Sequence, residues 1–108
     1  MNPGTIDVQP RQRLDALARA TRIRQVRARL KRRIADGQVS AAEVILLHQW
    51  EVASMPVAEL LKSQRYWGNE RCRRFLTPMR LHENKTIGSM TERQRLALAA
   101  RLSALTTT

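Results

Sequence analysis

MPVAELLKSQRYWGNERCRRFL, residues 55–76, sets two apolar runs at helical spacing on either side of a glycine-bearing break. Pro56 suits the start of a helix, since its fixed backbone angle and missing N–H cost nothing there. Val57, Leu60 and Leu61 then fall on one side of a short helix. The run Ser63–Gly68 breaks that spacing and reads as a turn. Asn69 is expected to cap a following helix over about 70–77, with Cys72, Phe75 and Leu76 facing inward. Pro78 ends or bends that helix. Two short helices joined by a glycine-bearing turn are therefore expected.

The same signals extend outward in both directions. Upstream, Ser40-Ala-Ala-Glu43 has the spacing of a capping box, so a helix is expected over about 41–51. It is the most apolar part of the chain, with Val44, Ile45, Leu46, Leu47 and Trp50 expected in the core. Further upstream, a long helix should run from Pro10 to about Asp36 and stop at Gly37. Ile23, Val26, Leu30 and Ile34 share about a quarter of its circumference, whereas Leu14 and Leu17 fall nearly opposite. Its second half should thus lie on the core and its first half project. Residues 1–9 are expected to be disordered. Downstream, His82–Ser89 reads as a loop and Thr91 as the cap of a last helix over about 92–104. Leu96, Leu98, Ala99, Leu102 and Leu105 are its apolar residues, and the final three threonines should fray. No stretch alternates apolar and polar residues for long enough to make a strand. The expected fold is all-α, with about five helices: a basic N-terminal helix over 10–36 and a compact domain over 37–108.

Charge narrows the function. The 108 residues hold 20 Lys and Arg against nine Asp and Glu, a net charge of +11 and a pI near 11.6. Half of the basic residues lie between Pro10 and Asp36 and the rest after Leu60, while Gly37–Leu60 carries three acids and no Lys or Arg. That bias is the footprint of a polyanion binder, because each neutralised phosphate releases counterions. A single cysteine, Cys72, excludes an internal disulfide framework and a cysteine-based zinc site. No apolar run approaches the roughly 20 residues of a membrane span, and the N-terminal residues do not read as a secretory signal. A cytoplasmic protein, in a bacterium one of the nucleoid, is the simplest expectation. His48 and His82 lack metal-ligand spacing, and Glu43, Glu51 and Glu59 form no evident catalytic pair. No nucleophile–base constellation or Walker loop is present, so no enzyme, cofactor or metal is expected.

Residues 55–95, with the helix–turn–helix run just quoted and the later SMTERQRLAL, resemble the actinobacterial integration host factor family. The matching pieces are Val57–Lys62, Arg65–Gly68, Asn69–Leu76, Lys85–Gly88 and Glu92–Leu102, and the long basic N-terminal helix agrees as well. The resemblance implies a helix–two-turn–helix module in a small nucleoid-associated protein that binds and bends duplex DNA and supports site-specific recombination. The chain departs from the family pattern at Asn69, where a lysine is usual, in its less arginine-rich loop 84–89, and in the bulky pair Tyr66 and Trp67.

The expected DNA-binding residues follow from the turn and its surroundings. Gly68 and Asn69 open a helix whose first N–H groups and dipole attract an anion. Arg65 and Arg71 flank them and can pair with phosphates. Tyr66 either wedges into a base step or donates its hydroxyl to a phosphate, while Trp67 is expected to cap the core beneath the turn. The alternative for Gly68 and Asn69 is a plain turn and a plain cap. Lys85, Thr86 and a face formed by Arg93 and Arg95 are expected to hold a neighbouring stretch of backbone. Arg22, Arg24, Arg29, Arg32 and Arg33 on the first helix form a secondary surface. The expected partner is double-stranded DNA, with a site-specific recombinase as a second partner and the chain itself a monomer. Two other functions fit the composition: an RNA- or ribosome-associated protein, and a protein-interaction regulator from a mobile element.

Overall fold

A computed structural model describes residues 10–106 of the chain. The reading of residues 1–9 as disordered, and of the last two threonines as frayed, lies outside the described residues. Five α-helices form the fold: α1 Pro10–Ala35, α2 Ala41–Leu47, α3 Val57–Lys62, α4 Asn69–Leu76 and α5 Glu92–Thr106. Short 3-10 turns lie at Trp50–Val52, Thr77–Met79 and Ile87–Ser89. Among the described residues the only extended pairing is a single antiparallel bridge between Pro56 and Thr86. The chain is all-α, and none of its described helices is long and apolar enough to cross a membrane.

Local chemistry sets most of the helix ends. α1 stops in a left-handed Gly37 at φ +76°, with Gly37 N–H donating to Ile34 and Gln38 N–H to Arg33. Those two bonds make a Schellman cap, which favours glycine because no Cβ crowds the left-handed backbone. Ser40 Oγ accepts from Glu43 N–H at 3.1 Å to start α2. At α5, Thr91 Oγ1 accepts from Gln94 N–H and Gln94 Oε1 accepts from Thr91 N–H, a full capping box.

The core lies where α2 packs on α5 and α3 on α4. Ile45, Met55, Leu60, Leu61, Leu76, Ile87 and Leu98 are its most fully enclosed large side chains. α1 contributes only Ile34 as a buried residue, backed by a partly covered Leu30. Its first half projects, with Leu14 and Leu17 exposed. A 26-residue helix is about 39 Å long, which accounts for a molecule of 64 × 28 × 24 Å.

Several expectations need correction. α2 ends at Leu47, not residue 51, because His48 turns left-handed at φ 30° and the chain restarts as the 50–52 turn. Leu46 and Leu47, at the end of α2, face outward, and beyond the break Trp50 does too: it is 50% exposed and not a core residue. Leu96 and Leu105 are also exposed, since Leu98, Ala99 and Leu102 form the inner stripe of α5. α5 itself continues to Thr106.

Candidate nucleic-acid interface

The turn between α3 and α4 is built by its own backbone. Ser63 and Gln64 N–H groups donate to Leu60 and Leu61, and Trp67 N–H donates to Gln64 at 3.2 Å. The last bond closes a β-turn over Gln64–Trp67 whose third residue is Tyr66 at φ +65°. Turns needing positive φ at that position take Gly or Asn. A bulky residue there costs about 1–2 kcal/mol. Trp67 is partly buried and sits edge-on to Phe75, at 5.2 Å and 76°, with the Arg71 guanidinium 4.2 Å over its ring. The expectation that Trp67 caps the core thus holds, and it fixes the base of the turn.

Gly68, not Asn69, occupies the cap position of α4. Its φ of −98° is ordinary, and a Cβ built on it meets nothing within 4 Å. Neither strain nor internal packing requires glycine there. Asn69 is the first residue of the helix; its Oδ1 accepts from Lys62 Nζ at 3.0 Å instead of capping α4. Among the described residues, the backbone N–H groups of Asn69, Glu70 and Arg71 find no protein acceptor. The helix therefore begins with three open donors and the positive end of its dipole. α3 differs: Val57 and Ala58 N–H donate to the carbonyls of Lys85 and Glu83, at 2.7 and 3.1 Å.

Arg65 and Arg71 are both exposed beside those donors. Lys62, which sequence reasoning missed, joins them. Its position as the last residue of α3, where a cation complements the helix dipole, was the available signal. A shallow groove of about 450 Å³ lined by Lys31, Arg32, Ala35, Glu59, Lys62 and Ser63 links the turn to the C-terminal half of α1. Arg32 therefore extends the same cationic surface.

The other basic residues of α1 divide by task. Arg22 pairs with Glu51 at 3.5 Å, and the Glu51 carboxylate is only 10% exposed. Arg27 donates to Ser54 Oγ and to the Glu51 carbonyl, and Lys31 pairs with Glu59. Acids in the segment without Lys or Arg thus hold α1 in place, and Arg22, although largely exposed, is held by one of them. Arg24 is exposed and donates to Thr21. Arg29 and Arg33 are exposed on the flank of α1 nearest Gln49 and Glu51, so they do not border the turn.

Loop 82–89 stands at the opposite end of α3, about 9 Å away along six helical residues. Lys85 and Thr86 are half-buried there, and their carbonyls accept from Val57 and from Ser89. Arg93 and Arg95 do not form one face: residues two apart on a helix point in different directions. Arg93 is exposed, whereas Arg95 turns inward and donates to the Met90 carbonyl at 2.6 Å.

Two further arginines were not anticipated. Arg101 lies 4.3 Å over the Phe75 ring and donates to the Phe75 carbonyl at 2.7 Å. With Arg74, it borders a groove floored by Trp67, Phe75 and Leu105. Cys72 is wholly buried on the inner side of α4, and burial raises its thiol pKa while Lys62 pulls the other way. In comparisons with known proteins, no family profile, no curated protein and no solved structure matches the chain.

Proposed function

We propose that this chain is a non-enzymatic architectural protein that grips duplex DNA, chiefly by its phosphates. The observation that carries the reading is the open start of α4, with three donors lacking a protein acceptor, set among Lys62, Arg65, Arg71 and Arg32. Backbone N–H groups hold a phosphate closely, and the guanidinium and ammonium groups neutralise its neighbours. Among the described residues three ion pairs use Arg22, Lys31 and Arg73, and since each pair is neutral the whole net charge of +11 remains for a polyanion. Such contacts position a duplex without reading its bases, so sequence preference would arise from how easily the DNA deforms.

Lys85, Thr86 and Arg93 would meet a neighbouring stretch of backbone, and the exposed arginines of α1 would add attraction along the duplex. Bending would follow if the turn, loop 82–89 and α1 cannot all reach a straight duplex. The resemblance to integration host factors of the actinobacterial type supports this reading. It adds a role in the nucleoid and assistance to a site-specific recombinase. The test is a competition between random duplex DNA and duplex RNA of equal length for the full chain. Tighter binding to DNA is the expected result. Tighter binding to RNA would make the protein RNA- or ribosome-associated, and weak binding to both at low salt would favour a protein partner.

A further inference from the structure

Tyr66 is the residue the fold least accounts for. It stands at the tip of the α3–α4 turn, 88% exposed, in a left-handed conformation. Among the described residues the other two non-glycine residues with positive φ, His48 and Arg80, each end a helical segment, a common place for that conformation. Tyr66 ends none. Its ring stacks on no other aromatic ring of the described residues, and its hydroxyl makes no hydrogen bond there. The residue on its C-terminal side, Trp67, is wedged against Phe75 and covered by Arg71, so the base of the turn is firmly held. A rigid mount with a free aromatic at its apex is what a wedge requires. The surrounding charge says what it would enter: Arg65 precedes it, Arg71 covers the neighbouring Trp67, Lys62 reaches Asn69, and the open donors of α4 begin three residues later.

We propose that Tyr66 inserts into a base step of duplex DNA, unstacking it where the turn grips the backbone, so that the protein favours duplexes already weakened at one step. This deepens the DNA-binding reading above and rests on it. An aromatic ring recovers stacking from the bases it separates, and insertion kinks the duplex. The cost of opening is lowest at a mismatch or a flexible pyrimidine–purine step. Mismatched sites should therefore bind more tightly than matched ones. Trp67 cannot take this role, because its ring is engaged on the core side by Phe75 and covered by Arg71.

The experiment compares the full chain with Tyr66→Phe and Tyr66→Ala. The probes are a matched 30-mer duplex, the same duplex with one central mismatch beside 2-aminopurine, and the corresponding single strand. The wild type should bind the mismatched duplex about tenfold more tightly than the matched one, because a mismatched step costs less to open, and 2-aminopurine fluorescence should change on binding. Tyr66→Phe should keep both properties. Tyr66→Ala should lose the preference and the fluorescence change and bind matched and mismatched duplexes equally, more weakly than the wild type binds either. Equal behaviour of wild type and Tyr66→Ala would overturn the wedge and leave phosphate binding intact. A Tyr66→Phe variant as impaired as Tyr66→Ala would replace the wedge with a hydroxyl–phosphate contact. Tightest binding to the single strand would overturn insertion into a duplex. Failure of the wild type to bind any duplex would remove the DNA reading and the wedge together.

Discussion

The turn at 63–68 and the loop at 82–89 lie at the two ends of α3, each carrying a glycine and one Lys or Arg, yet they are built for different purposes. The loop is tied to the body of the protein. Ile87 and Gly88 N–H groups donate to the carbonyls of Met55 and Ala53, and the loop's own carbonyls satisfy the first donors of α3. A Cβ on Gly88 would lie 2.8 Å from the Ala53 Cβ and 2.9 Å from its carbonyl oxygen. The turn, by contrast, leaves the first donors of α4 open and puts its glycine where a Cβ would touch nothing. Two glycines that look alike in sequence thus answer to different neighbours, one inside the molecule and one outside it.

Substitutions at these positions should separate the clamped loop from the open turn. Gly88→Ala should have the largest effect on stability, because Ala53 backbone and Cβ atoms must move; overpacking of this kind costs about 1–3 kcal/mol. Thermal unfolding would read it as a fall of roughly 4–8 °C per kcal/mol for a domain of this size. An unchanged melting temperature would mean that the loop is not clamped to Ala53. Tyr66→Asn should move stability the other way, by roughly 0.5–1 kcal/mol, since asparagine tolerates a left-handed backbone and no packing is lost. The same variant should lose the preference for mismatched DNA, and chemical denaturation beside a binding assay separates the two effects. Gly68→Ala should change stability by less than about 1 kcal/mol, the usual difference between residues at a cap, yet weaken DNA binding by crowding the phosphate. Smallest of all should be the reactivity of Cys72, one helical turn from the open end of α4 but on its inner side. Its pKa is raised by burial, and a thiol reacts as its thiolate. Alkylation of the folded protein at neutral pH should therefore be slow, speeding up on unfolding or as pH rises above the ordinary thiol range.

Short-range chemistry was the legible part of the fold. Gly37, Ser40 and Thr91 mark helix ends through bonds made within a few residues, so sequence spacing sufficed. The apolar stripe of α1 likewise placed its docked half through Ile34 and Leu30. What failed depended on a backbone break or a partner that local spacing does not mark. Trp50 reads as core in a continuous helix, but the left-handed His48 swings it outward, where Arg19 covers it at 5.6 Å. Asn69 reads as a cap until Lys62, seven residues earlier, takes its oxygen. The pairing of Arg22 with Glu51 and of Lys31 with Glu59 follows from how α1 crosses the fold, which no local spacing encodes. Of the candidate interface, the turn and its flanking arginines were legible, whereas the inward aim of Arg95 and the part played by Lys62 were not.

The most direct test of the central claim is a salt series of binding to random duplex DNA for the wild type and Gly68→Glu. The substitution adds a carboxylate beside the open donors of α4, at a backbone angle any residue adopts and with room for its Cβ. The wild type should show a slope of log K against log salt of about −4 to −6, at roughly −0.9 per phosphate contact. The variant, still helical by circular dichroism, should bind far more weakly and with a shallower slope. Equal affinity and equal slope for the two proteins would contradict the account, leaving the basic first helix to bind DNA without the turn.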